Sequence, residues 1–266
     1  MRNKLKTSID KFLIMNVIIR GNGKPEFTVI GSIHGDEPAG KKAIEKILDS
    51  DLEFKKPVKF IIANEKALEK DERFLEADLN RSFPGNKSSD KYEERLAAEL
   101  IEEIGDSKVL DLHTTHSFER PFANAKSFED PEMEMIKATG TEYAVKFETG
   151  SGTLTDFTTG VVVESGLQHS DQAVKNAVAV IESFLAYFDV IDADFTVSDP
   201  ELFIQEEKVE GDWKFLKENF QEVQEGEIYA KRDNEELVAE EDFYPVLMST
   251  NGYDGVLGHK ASKVEK

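Results

Sequence analysis

The chain contains no cysteine among its 266 residues, which excludes a disulfide scaffold and any thiolate-bound metal. It has no uninterrupted apolar run of roughly 18 residues or more, so no transmembrane helix is expected. No Gly-x-Ser-x-Gly turn occurs, which argues against the serine chemistry that such a turn supports. Positive charge is also scarce: 33 Lys and Arg stand against 54 Asp and Glu, a formal net charge of −21. A field of that sign opposes binding to nucleic acid and to anionic membrane surfaces. It fits a solvated acidic surface. Adaptation to high salt is the alternative, although lysine remains common. Met1 to Asp10 is basic and polar, and the apolar stretch from Phe12 to Ile19 is short and has no small-residue cleavage site. No signal peptide is therefore expected, and the default location is the cytoplasm.

The hydrophobic content, 39%, is modest. It is gathered into runs rather than diluted, which favours a folded core over disorder. Short apolar runs at Ile14–Ile19, Phe27–Ile33, Val58–Ala63, Val109–Leu112 and Val161–Glu164 read as strands. Longer amphipathic segments at Pro38–Leu48, Asp90–Ile104, Pro131–Thr139 and Asp171–Tyr187 read as helices, two of them opening on proline and the third of them with Asp130 as its expected N-cap. This alternation predicts an α/β fold with a largely parallel sheet. The character changes near residue 192. Short acidic pieces follow, at Asp194–Val197, Trp213–Phe215, Gln221–Val223, Ile228–Ala230 and Tyr244–Met248, punctuated by Gly211, Gly226 and Gly252. They predict a smaller β-rich domain over 193–266 after a main domain over 1–192.

The chemistry-bearing residues stand at the ends of the strand-like runs. His34-Gly35-Asp36-Glu37 follows Phe27–Ile33, His113 ends Val109-Leu110-Asp111-Leu112, and Glu164 ends Val161-Val162-Val163. In open α/β sheets ligands bind beyond the carboxyl ends of the strands, so these groups are expected to share one site. Two imidazoles and a carboxylate are ligands that Zn²⁺ takes while keeping one position open, and a further glutamate nearby suits metal-assisted hydrolysis. Gly35 lets the turn bend so that His34 and Glu37 face one ion. Asp111 lies two residues before His113 on the same strand face and is placed to fix its tautomer. His116 competes with His113 for the ligand role. His113 is preferred because it ends the strand, whereas His116 falls in the following loop. Arg73, Asn80 and Arg81 form a second cluster, whose guanidinium groups suggest an anionic substrate.

Taken in order, His34-Gly-Asp-Glu37, Asp78-Leu-Asn80-Arg81 with Arg73 seven residues before Asn80, Asp111-Leu-His113 and Glu164-Ser-Gly166 resemble the succinylglutamate desuccinylase/aspartoacylase family, a branch of the zinc carboxypeptidase clan. The likeness spans about residues 25 to 190, and a weaker one reaches Phe243-Tyr-Pro-Val246 and Tyr253. It implies a carboxypeptidase-like sheet flanked by helices, with a smaller β-rich domain after it. It also implies one Zn²⁺ per chain on His34, Glu37 and His113, with Glu164 as the general base and Arg73 stabilising the oxyanion. Asn80 and Arg81 would hold the α-carboxylate of a small anionic N-acyl amino acid, and Tyr253 would line the pocket. One departure concerns Leu154, which stands where aspartoacylases carry an arginine for the substrate's side-chain carboxylate, so a preference for N-acetylaspartate is not expected. The expected activity is amide hydrolysis of an N-acyl amino acid. A zinc metallocarboxypeptidase and a catalytically silent binding protein of the same fold are the alternatives. No nucleic acid or membrane partner is expected, and self-association as a homo-oligomer is left open. Co²⁺ or Mn²⁺ would also suit the same ligands.

Overall fold

All five residues from Phe27 to Gly31 are buried, and so are all five from Val58 to Ile62. A strand with one wet face would bury only every second residue, so these strands must be covered on both sides. The computed structural model describes residues 15–147, 151–250, 252 and 255–265. Met1 to Asp10, Phe12 to Ile14 and Tyr253, each part of a reading above, lie outside them.

In chain order the elements of the first part are β1 (Asn16–Arg20), β2 (Phe27–Gly31), α1 (Ala39–Leu48), β3 (Val58–Ile62), α2 (Glu65–Lys70), α3 (Tyr92–Ile104), β4 (Lys108–Thr115), β5 (Phe122–Ala125), α4 (Glu132–Ala138), β6 (Tyr143–Lys146), β7 (Gly160–Leu167) and α5 (Asp171–Tyr187). After them come β8 (Glu201–Glu210), β9 (Lys214–Phe215), β10 (Ile228–Arg232), β11 (Glu235–Val238), β12 (Tyr244–Val246) and β13 (Val256–Lys263). Short 3₁₀ turns occupy Leu79–Arg81 and Leu154–Asp156.

Ten strands form one sheet in the order β1-β3-β2-β4-β7-β5-β6-β8-β13-β12, and β11-β10-β9 form a second. The fold is mixed α/β, with a large central sheet flanked by helices and a smaller β-rich sheet. The block β3-β2-β4-β7 is parallel. Antiparallel pairs join β1 to β3, β5 to β7, and β13 to both β8 and β12, so the sheet as a whole is more mixed than a largely parallel one.

Side-chain alternation divides the core. Val29, Leu110, Leu112, Val161 and Val163 pack with Ala43, Ile44 and Ile47 of α1 and Ala177, Ile181 and Phe184 of α5. Ile30, Ile61 and Val109 pack on the other face with Leu96, Ala97 and Leu100 of α3. The odd-numbered face of β4 that carries Val109 therefore also carries Asp111 and His113. Because β4 and β7 pair in register, Asp111 lies beside Val162 and His113 beside Glu164.

Several expected boundaries shift. β4 and β7 run three residues past Leu112 and Glu164, to Thr115 and Leu167, so His113 and Glu164 sit inside their strands rather than at the last residue. The cap of α4 is Pro131 itself, in helical geometry with no side-chain cap bond, so Asp130 does not cap it. Asp194–Val197 is not a strand, and Gln221–Val223 contributes a single bridge, from Val223 to Phe243. Residue 192 falls in the connection between α5 and β8. The chain beyond it does more than fold on itself. β8 pairs parallel with β6, and β13 and β12 follow, so these strands extend the central sheet. Among the described residues no helix is long and apolar enough to cross a membrane.

Candidate active site

The turn after β2 brings His34 and Glu37 to the carboxyl end of the parallel block. Gly35 is required there by contact rather than by torsion. A Cβ on it would lie 2.2 Å from the Ala67 carbonyl carbon and 2.3 Å from the Leu68 nitrogen, both on α2. Gly35 N also donates to the Arg73 carbonyl at 3.1 Å, tying this turn to the segment before the 3₁₀ turn.

Two imidazoles meet one carboxylate here. His34 Nδ1 lies 2.8 Å from Glu37 Oε1, and His113 Nδ1 lies 3.2 Å from Glu37 Oε2. Ligand atoms of all three fall within 4.8 Å of one another, and all three residues are buried. The remaining ring nitrogens each face another carboxylate. His113 Nε2 is 2.9 Å from Asp111 Oδ2, and His34 Nε2 is 3.2 Å from Asp78 Oδ1. Each ring is thus oriented from behind, with its Nδ1 turned to the common centre. His113, not His116, occupies this position.

Burial opposes charging of both imidazoles, yet their carboxylate neighbours outweigh it. Glu37 and Asp78 raise His34, and Asp111 and Glu37 raise His113 well above the usual range. Burial likewise opposes ionisation of Glu37, but the two imidazoles hold it well below the usual carboxylate range. Asp78 is also lowered: burial opposes, and His34, Arg73 and Arg81 prevail. The cluster favours positive charge at its centre.

Glu164 stands next to His113 across the β4–β7 pair. Burial first, and Glu37 with it, push its carboxyl up to about 8 against the pull of the imidazoles and Arg73. Among the described residues, Glu164 Oε2 and Asp111 Oδ1 are buried without a hydrogen-bond partner. Such orphans in a native site ask for an explanation such as a catalytic role or a ligand.

A cavity of about 500 Å³ opens over these groups, lined by His34, Glu37, His113, Glu164, Arg73, Asn80 and Arg81 among others. Arg73 reaches Glu37 Oε1 and Asp78 Oδ2, each at 3.4 Å. Asn80 Oδ1 accepts from Leu154 N at 3.0 Å, which leaves its amide N–H groups for another acceptor. Arg81 donates to the Asn80 carbonyl at 2.7 Å and is exposed. Leu154 does not enter the cavity; its side chain is buried in the core with Ile30 and Leu96. Its neighbours Thr153 and Thr155 line the space instead.

Sequence reasoning missed several members. The motif containing Asp78 carries no sign of its bond to His34, which lies 44 residues away. The lining also includes Lys126, Phe147, Lys208, Leu247, Val256 and His259. Lys208 and His259 are paired across β8 and β13, strands whose charged sequences gave no apolar signal.

Comparison with known proteins identifies the family of the chain. Residues 24–174, more than half the chain, match the succinylglutamate desuccinylase/aspartoacylase catalytic domain. A probable aspartoacylase of Prochlorococcus marinus (strain MIT 9215) is 35% identical over 100 residues, covering 33% of either chain. An N-acyl-aromatic-L-amino acid amidohydrolase (carboxylate-forming) of Xenopus tropicalis is 28% identical over 117 residues, covering 39% of this chain and 38% of its own. The chain thus spans only about a third of the length of the curated relatives it matches. The fold is shared more widely. A succinylglutamate desuccinylase/aspartoacylase structure from Rhodobacter sphaeroides superposes with a TM-score of 0.75 at 20% identity, covering 94% of this chain and 89% of that one. Matched over most of its parallel block and carrying the ordered motifs in one cavity, the chain belongs to the succinylglutamate desuccinylase/aspartoacylase family.

Proposed function

We propose that the protein is a zinc-dependent amidohydrolase that cleaves the amide bond of a small anionic N-acyl amino acid. The observation that carries this reading is the convergence of two buried Nδ1 atoms and the Glu37 carboxylate on one point, with the enclosed Glu164 carboxyl beside it. The donor set fits zinc: two imidazole nitrogens and one carboxylate oxygen, with Asp78 and Asp111 holding the far ring nitrogens. His34, Glu37 and His113 would hold the ion. When bound, it supplies Lewis acidity that acidifies water and polarises a carbonyl.

The chain's own groups account for the rest. Glu164 takes the proton of the attacking water and returns it to the leaving amine nitrogen, a task suited to a carboxyl held near neutrality. Arg73, fixed between Glu37 and Asp78, donates to the carbonyl oxygen as that oxygen gains charge. The Asn80 amide and the Arg81 guanidinium bind the α-carboxylate. Residues 1–192 act as the catalytic domain. Residues 193–266 form the second domain, which adds Lys208, Leu247 and His259 to the cavity lining. Because Leu154 is turned into the core, no strong preference for N-acetylaspartate follows.

A panel of N-acetyl and N-succinyl amino acids, tested with zinc-loaded protein against their α-amides and against peptides, decides the matter. Hydrolysis of the free acids, abolished by chelator and much weaker on the amides, is expected. Equal turnover of acids and amides, or release of C-terminal residues from peptides, overturns the reading.

A further inference from the structure

We propose that Glu93 is a positioning residue, which fixes the segment bearing Arg73 and Asp78 against the site; this rests on the amidohydrolase reading above. Glu93 is the second residue of α3 and is completely buried. It lines no part of the described cavity. Its Oε1 accepts Leu75 N at 2.7 Å and the Asn64 side-chain amide at 3.5 Å, and its Oε2 accepts Glu76 N at 3.0 Å and Ala77 N at 3.1 Å. Three consecutive backbone N–H groups therefore converge on one carboxyl.

Those N–H groups belong to a partly exposed stretch that forms neither helix nor strand, so no ladder satisfies them and the fully buried Glu93 carboxyl is the partner that ties the stretch to α3. The contact is reciprocal, since the Glu76 carboxylate accepts Tyr92 N at the start of α3. Arg73 lies just before this clamped stretch and Asp78 directly after it. From there Arg73 reaches Glu37, and Asp78 holds His34 Nε2 while accepting Asn80 N at 2.9 Å. The carboxyl of Glu93 is thus two bonds of contact away from a proposed metal ligand, an oxyanion donor and the α-carboxylate subsite together. The residue touches none of the reacting atoms and acts through those that do.

Glu93→Gln tests this, because a Gln amide must turn an N–H group toward at least one backbone N–H whichever way it is flipped. In the zinc-loaded protein, kcat is expected to fall about 10- to 100-fold, as displacement of about an ångström does. With zinc and substrate saturating, adding Arg73→Ala to Glu93→Gln should lower kcat little beyond Arg73→Ala alone, since the effect of Glu93 on kcat runs through the Arg73 guanidinium while its effect on the metal runs through Asp78. Zinc affinity, read by chelator competition, should fall about 10-fold through the Asp78–His34 contact. Backbone amide exchange at 75–77 should accelerate about 10-fold or more while Leu96–Ile104 keeps its protection. Multiplicative losses of kcat, or unchanged zinc affinity with altered exchange, overturn the proposal by reducing Glu93 to a structural role. If Glu93→Gln does not fold, Glu93→Asp, which keeps both oxygens but not their reach, is put through the same cycle. In the wild type the amides of 75–77 should be protected like those of β2, and loop-like exchange there overturns the proposal by itself. A wild type that hydrolyses no N-acyl amino acid rejects the functional reading, and exchange with zinc affinity still decides the role of Glu93.

Discussion

Histidines on two parts of the same cavity behave in opposite ways. His34 and His113, at the carboxyl end of the parallel block, are surrounded by Glu37, Asp78 and Asp111, and their affinity for a proton is raised despite burial. His259, on β13, faces the Phe147 ring edge-on at 5.6 Å and pairs across strands with Lys208. Burial, and then the Lys208 charge, push His259 down to about 4. Burial is the largest influence in all three, and it always favours the neutral ring. The sign of the outcome is set by whether carboxylates or a cation stand within reach. One part of the cavity is therefore built to attract positive charge. The other part sets a neutral imidazole beside the Lys208 cation and the apolar Phe147, Leu247 and Val256.

The comparison is tested most severely at Glu164. Glu164→Gln keeps the shape and removes the proposed base, so the zinc content of zinc-loaded protein, measured by elemental analysis, should be unchanged while kcat falls by ~10²–10⁴-fold. Loss of zinc in this variant would make Glu164 a ligand and redraw the boundary between the two parts. Next in size are the arginines. Arg81→Ala should act chiefly through KM, with about 2–5 kcal/mol at stake for a desolvated charge pair, and Arg73→Ala chiefly through kcat. Steady-state kinetics that leave both constants unchanged would show that the two side chains serve only as salt-bridge partners.

A smaller effect is expected at Gly35. Gly35→Ala drives a methyl group into the α2 backbone, so thermal or denaturant unfolding should show a loss of about 1–3 kcal/mol, with weakened zinc binding. Wild-type stability in that variant would mean that the turn and α2 separate freely.

The smallest effect concerns pH. The folded protein binds a proton at His259 less readily than the unfolded chain, whose imidazole titrates near 6.5. The stabilising contribution is thus complete above pH about 6.5 and is lost as pH falls toward 4. Given the partial exposure of the ring, it amounts to about 1–2 kcal/mol. His259→Gln should flatten the decline of unfolding free energy over that interval relative to wild type. Parallel curves would place His259 in an environment like that of an exposed ring.

The parallel block was legible because its strands carry short apolar runs, each followed by residues that such runs rarely adjoin. His34, Glu37, His113 and Glu164 stood out for that reason, and helix α5 for its apolar spacing, which gave the bounds Asp171–Tyr187. β8 and β13 did not stand out. Their sequences, Glu-Leu-Phe-Ile-Gln-Glu-Glu-Lys-Val-Glu and Val-Leu-Gly-His-Lys-Ala-Ser-Lys, carry charge on partly exposed faces. Only pairing with β6 and with each other makes them strands. β5 and β6 are four residues each, too short for a period to register.

Sequence alone therefore determined the chemistry on offer: which ligand types the chain possesses, in what order, and beside which apolar runs. Local patterns carry that information because strand burial and residue type are properties of adjacent positions. Tertiary structure alone decided the partners. The bond from Asp78 to His34 crosses 44 residues and that from Glu37 to the Thr114 backbone crosses 77. Leu154 is turned into the core, and Lys208 and His259 enter the cavity on strands that add to the central sheet. No spacing rule connects positions so far apart; they meet only because the sheet order sets β8 and β13 beyond β6, and because buried carboxylates must find donors wherever the fold places them.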